Sequence, residues 1–86
     1  MPTQSILIYA TNWCPDCIRV KRFLTQHNID FDWINIDTDD EGTDYVRKVN
    51  NGIRVVPTIL FEDGSILVEP SNNKLAEKLG INKEQG

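Results

Sequence analysis

Two cysteines, one histidine and one methionine are all that the chain offers in soft or redox-active side chains. Both cysteines fall in Cys14-Pro15-Asp16-Cys17, so none is left for the distributed pairs that hold small secreted scaffolds together. A disulfide closing so short a loop constrains almost nothing in the unfolded chain, which points the pair towards chemistry. Zinc is short of donors in the same way. It takes about four ligands, and beyond the two thiols only His27 is soft enough to serve, so no metal is expected. Basic residues are scarce too, nine Lys and Arg against thirteen Asp and Glu. The net charge of -4 disfavours nonspecific binding to nucleic acid or to anionic membranes. No stretch approaches the roughly 20 apolar residues of a membrane span. Met1 to Ala10 has neither the basic start nor the long apolar run of a secretory leader, which makes the cytoplasm the default location.

What is present reads as a single domain over residues 1–86, short enough that its core must be compact. Ser5 to Ala10 is an apolar run with the length of a buried strand. Pro15 suits the first position of a following helix, where the missing N–H costs nothing. Val20, Phe23, Leu24 and His27, three and four apart, predict its inward stripe. Phe31 to Ile36 alternates and reads as a second strand. Asp37, Asp39, Asp40 and Glu41 place negative charge at the start of a second helix, with Arg47 and Lys48 in its last turn and Gly52 to end it. That polarity suits the helix macrodipole. Thr58 to Phe61 and Ile66 to Val68 flank Glu62-Asp63-Gly64-Ser65 as a hairpin. Ser71 is the expected N-cap of a last helix carrying Leu75, Ala76 and Leu79 and closed by Gly80. Lys74 at its N3 position rules out a capping box. The chain is thus a βαβ unit followed by αββα, an α/β fold with a four-stranded sheet and three helices.

Two cysteines three apart at a helix start can approach within disulfide distance. The first projects beyond the helix, and unpaired N–H groups with the positive end of the macrodipole favour a thiolate there. A thiolate is the attacking species, so Cys14 is the expected nucleophile, and Cys17, held in the first turn, the resolving thiol. Pro15 stiffens the turn between them. Asp16 suits a first helical turn, yet its carboxylate repels the thiolate beside it.

With Trp13-Cys14-Pro15-Asp16-Cys17 and Val55-Val56-Pro57-Thr58 in view, the chain resembles the glutaredoxin family, and within it the bacterial mycoredoxin and glutaredoxin-like group. The resemblance runs from Ile6 to about Leu79. Cys-x-x-C alone is a common pattern; joined to a Val-Pro step some 40 residues on, in this element order, it is specific. The resemblance implies a thioredoxin-like fold with sheet order 2-1-3-4 and the third strand antiparallel to the first. It implies that Pro57 is cis and lies beside the reactive cysteine, with Val56 offering backbone groups to an extended thiol. Candidate substrate contacts are then Trp13, Arg54, Val56, Pro57, Ser71 and Asn72. Trp13 is expected as an exposed apolar rim, Trp33 as packing within the second strand, and Lys21 as a source of positive potential one turn beyond Cys17. The pattern departs at two places. Thr11 and Asn12 stand where many members carry a basic residue, and Glu69-Pro70-Ser71-Asn72 replaces a Gly-Gly-Ser-Asp-type turn. The turn amides suit a carboxylate, but Glu69 opposes an anionic thiol.

The implied activity is reduction of mixed disulfides with a low-molecular-weight thiol, mycothiol or glutathione, and of protein disulfides, with no tightly bound cofactor and a monomeric chain. Two other readings stand beside it. One is a thioredoxin-like electron donor recharged by a flavin-dependent reductase. The other is a dimer holding a [2Fe–2S] cluster through Cys14 of each subunit plus two small thiols, for which thiolates are suitable ligands.

Overall fold

Strand β1 (Leu7–Ala10) is the spine of the sheet because both of its faces are covered. The computed structural model describes residues 6–81 of the chain. Ile6, Ile8 and Ala10 turn to one side, into a core shared with Cys17, Val20, Leu24, Ile59, Phe61 and Leu75. Leu7 and Tyr9 turn to the other, where Tyr9 packs with Ile36 and Val46. Burial on both faces is why this strand is an unbroken apolar run rather than an alternating one.

Strand β2 (Asp32–Asn35) pairs parallel to β1, from Leu7 opposite Asp32 to Ala10 opposite Asn35. Strand β3 (Thr58–Leu60) runs antiparallel along the other side of β1, and β4 (Ile66–Val68) pairs antiparallel with β3. The order β2-β1-β3-β4 is the one the resemblance implies. The strands are shorter than the apolar runs suggested. Ser5 lies outside the described residues. Phe31 and Ile36 flank the β2 ladder, and Phe61 follows β3, its N–H closing the hairpin on Ser65 O at 2.9 Å.

Helix α1 (Pro15–Gln26) opens on Pro15 with Cys14 as its N-cap, and it buries Cys17, Val20 and Leu24. Phe23 packs half-buried on the edge of that stripe. His27, expected to complete it, is exposed: the helix ends at Gln26, and His27 occupies the C-cap with its ring 4.5 Å from that of Phe23. The stripe stops one turn early because the helix outruns the core beneath it.

Helix α2 (Asp40–Val49) carries the expected acidic first turn and basic last turn. Its N-cap Asp39 accepts the Gly42 N–H at 2.9 Å. Asn50 is the C-cap, and Gly52, in left-handed backbone, donates back to Arg47 O. Gly42 has a role that no periodicity signals. A β-carbon there would lie 3.1 Å from Ile34 Cγ2 and 3.3 Å from Ile36 Cγ2, so glycine lets α2 settle closely on β2. Helix α3 (Asn72–Leu79) starts at Ser71, whose hydroxyl accepts the Lys74 N–H at 3.1 Å, and ends at Gly80 with φ 73°.

Leu24 is fully buried where α1 meets the sheet, whereas His27 touches chiefly Phe23. Leu24→Ala should therefore cost about 3 kcal/mol through lost transfer energy and the cavity left behind. His27→Ala should cost no more than about 0.5 kcal/mol. Urea unfolding of the dithiol form checks both, read as a fall in midpoint at constant slope.

Candidate active site

Because β1 and β2 are parallel, both leave the sheet at the same edge, and antiparallel β3 enters there. Three loops meet at that edge: Thr11 to Cys14, the residues after Asn35, and Arg54 to Pro57. Cys14 sits at the junction, half-exposed, with extended backbone at φ -79° and ψ 125°. The first amides of α1, which have no partner within the helix, lie behind it. Cys17, one turn on, is completely buried. Both thiols are free.

Their environments differ accordingly. Burial pushes the Cys17 thiol up from its ordinary 9.0 to about 11. The backbone amide of Thr11 pulls it back down, while the neighbouring Cys14 raises it further. Sequence marks Thr11 only as standing where many glutaredoxins carry a basic residue. It is wholly buried behind Cys17, and its hydroxyl acts on that sulfur without reaching hydrogen-bond geometry to any partner.

Asp16 is exposed, as its place in the first turn suggests, but it does not face the thiol alone. Arg19 Nη2 stands 3.7 Å from its carboxylate. The same guanidinium donates to Asn72 Oδ1 at 2.8 Å and to Pro70 O at 2.9 Å, so Arg19 ties the cysteine helix to the turn before α3. The Asp16–Arg19 spacing of three is a legible helical ion pair; its reach to residues 70 and 72 is a tertiary fact. Arg19, Glu69, Ser71, Asn72 and Asn73 line an open cleft of about 440 Å3. Ser71 spends its hydroxyl oxygen on the α3 cap, and Asn72 its carbonyl on Arg19.

On the opposite side, Trp13 is 65% exposed, forming the rim expected of it. Its indole N–H donates to Asp37 Oδ2 at 2.8 Å, and Arg54 pairs with the other oxygen of the same carboxylate. Those two donors, Trp13 first, hold the Asp37 carboxyl below the usual carboxylate range. From sequence, Asp37 is only part of the acidic start of α2. The Val56–Pro57 bond is cis. Pro57 is buried, Val56 is half-buried beside it, and Pro57 O accepts the Glu69 N–H at 2.9 Å. Glu69 itself has a left-handed backbone, φ 50°. Trp33 packs against the core as expected and also donates its indole N–H to Asn12 Oδ1 at 2.9 Å. Lys21 lies 4.9 Å over the Trp33 ring.

A thioredoxin-like sheet with a thiol pair at the start of its first helix defines a class of thiol–disulfide proteins, and the comparisons narrow it. The glutaredoxin family profile matches residues 6–66. A Mycobacterium tuberculosis protein named as a glutaredoxin is 40% identical over 79 residues, covering 92% of this chain and 94% of that one. Mycoredoxin 1 of Corynebacterium glutamicum is 35% identical over 76 residues, covering 88% and 94%. Among solved structures, a single-residue mutant of the thioredoxin-like protein BC3987 superposes with a TM-score of 0.78 at 26% identity, over 90% of this chain and 96% of that one. The glutaredoxin-like NrdH-redoxin of Escherichia coli gives 0.66 at 28% identity, over 83% and 93%. The chain belongs to the glutaredoxin family, whose members are thiol–disulfide oxidoreductases.

The two thiols should separate cleanly under alkylation. At pH 7, iodoacetamide should add once, on Cys14, and reach Cys17 only in denaturant or as the pH approaches 11. Peptide mass mapping reads the outcome, and early modification of Cys17 would contradict its burial. The same shift makes stability fall as pH rises from 9.0 towards about 11, because the unfolded chain gives up the Cys17 proton first.

Proposed function

We propose that this protein reduces mixed disulfides formed between proteins and a low-molecular-weight thiol, and reduces protein disulfides as a dithiol. One observation carries the reading: Cys14 is half-exposed at a helix start, in front of a fully buried Cys17 whose proton is held to about pH 11. The accessible thiol attacks and the protected one waits. The Cys14 thiolate attacks the small-thiol sulfur of a mixed disulfide, and the protein thiolate leaves. A second small thiol then attacks the sulfur of the adduct joined to Cys14, releasing the symmetric small disulfide and restoring the Cys14 thiolate. With a protein disulfide, Cys14 forms the mixed disulfide and Cys17, giving up its proton, attacks Cys14 Sγ. That step releases the second substrate thiol and leaves Cys14–Cys17 oxidised, two electrons having passed to the substrate.

Pro15 and Asp16 set the turn between the thiols. Trp13, Arg54, Val56 and Pro57 form one wall of the substrate groove, and Ser71 and Asn72 belong to the other. The co-substrate is mycothiol or glutathione, with mycothiol favoured by the exposed Glu69 carboxylate at the cleft and by the likeness to a mycoredoxin. The setting is the cytoplasm, and no described helix is long and apolar enough to cross a membrane.

A second reading has its own support, since the NrdH-redoxin that this chain resembles is described as having a thioredoxin-like activity profile. In that reading a flavin-dependent reductase recharges the Cys14–Cys17 disulfide directly, without a small thiol.

An exchange assay on Cys17→Ser separates the readings. Equal amounts of glutathione disulfide and mycothiol disulfide compete for Cys14, and intact mass identifies the adduct. The expected result is one dominant adduct, mycothiol, on Cys14, and its loss in a Cys14→Ser, Cys17→Ser double variant. A folded Cys17→Ser protein that takes neither thiol, joined to wild-type protein that drives rapid NADPH oxidation by thioredoxin reductase, would establish the second reading instead.

A further inference from the structure

Asp37 takes hydrogen bonds from two residues of one groove wall and links two candidate contacts that lie far apart in sequence. Its Oδ2 accepts the indole N–H of Trp13, the residue immediately before Cys14. Its Oδ1 accepts the guanidinium of Arg54, three residues before cis Pro57. The carboxylate is placed by a turn of its own: Asp37 N donates to Asn35 Oδ1 at 3.0 Å, at the point where β2 ends. Arg54 therefore has a fixed intramolecular anion, although both side chains remain about one-third exposed. Across the groove the pattern repeats, since Arg19 is matched to Asp16 and bonded to Asn72 and Pro70. Glu69 adds a further exposed carboxylate to that wall.

We propose that Asp37 is a specificity-determining residue that masks Arg54, so that the site disfavours thiols and disulfides bearing carboxylates relative to uncharged ones. An arginine with a free fork is a strong, bidentate carboxylate receptor. One already occupied by a side chain of its own protein offers a substrate carboxylate only an exchange of partners. The groove then confronts an anionic ligand with a chain of net charge -4 and no unmatched guanidinium at Arg19 or Arg54. This inference rests on the reading of Cys14 as the exchanging thiol and adds to it which class of partner the surroundings select.

The test is Asp37→Asn, which keeps an amide oxygen to accept from Trp13 while removing the charge that holds Arg54. Reduced wild-type protein and variant are mixed with glutathione disulfide, which is anionic, or with bis(2-hydroxyethyl) disulfide, which is not. Acid quenching and intact mass then give the second-order rate of Cys14–Cys17 oxidation, each disulfide being reduced to two thiols. In low salt the rate with glutathione disulfide should rise about fivefold, the size expected of one exposed ion pair. The rate with the uncharged disulfide should stay within about twofold. The gain should fade as salt approaches about 1 M, where screening is short-ranged, and should be lost in an Asp37→Asn, Arg54→Ala double variant. Equal changes with both disulfides would mean that Asp37 only shapes the loop and would overturn the proposal, as would no change with either. Wild-type protein that exchanges with neither disulfide would instead overturn the reading of Cys14 itself.

Discussion

Everything at the active edge depends on the first turn of α1 being anchored from below. Cys17, Val20 and Leu24 form one line into the core, and their burial fixes the rotation of the helix about its own axis. Cys14, three residues earlier, would share that face, but it stands at the N-cap with extended backbone and so stays half-exposed beyond the helix end. Core packing and helix start together separate two chemically identical side chains into an accessible thiol and a protected one.

The rest of the edge is built by tying loops together with charges. Asp37 gathers Trp13 and Arg54, and Arg19 gathers Asp16, Pro70 and Asn72. Each pair is partly exposed, so none adds much to global stability. Their effect is positional. Four segments far apart in sequence keep fixed distances around one sulfur, which is what ordered exchange between three sulfur atoms needs.

Much of this fold was legible in the residues, for identifiable reasons. The unbroken apolar run at β1, Pro15 behind Cys14, Ser71 and Asp39 as caps, and Gly80 as a stop are local signals, and local structure obeys them. The strand order and the cis bond before Pro57 came from the resemblance, since neither is written in periodicity. Strand ends were overestimated because an apolar side chain can stay buried after its backbone has left the ladder, as Ile36 and Phe61 do. His27 misled because helical spacing says which way a residue faces and not whether the core extends that far. At the site, Cys14 and Cys17 could be read from spacing alone. Arg19 and Asp37 could not, because their importance lies in partners up to 53 residues away, nor could Thr11, whose burial beside Cys17 no local pattern signals. Gly42 is the same lesson in packing: its small size answers to Ile34 and Ile36, on a neighbouring strand.

The two indoles have a consequence of a practical kind. Trp33 holds Asn12, and Trp13 holds Asp37, so every tryptophan in the chain is hydrogen-bonded to or within the segment that delivers Cys14. One ring is packed against the core and the other lies open at the rim. The protein therefore carries a built-in optical reporter, with two emitters in contrasting surroundings and no third tryptophan to mask them. Its native fluorescence follows the active loop, and oxidation, docking or loosening of that segment can be watched in real time without attaching a dye.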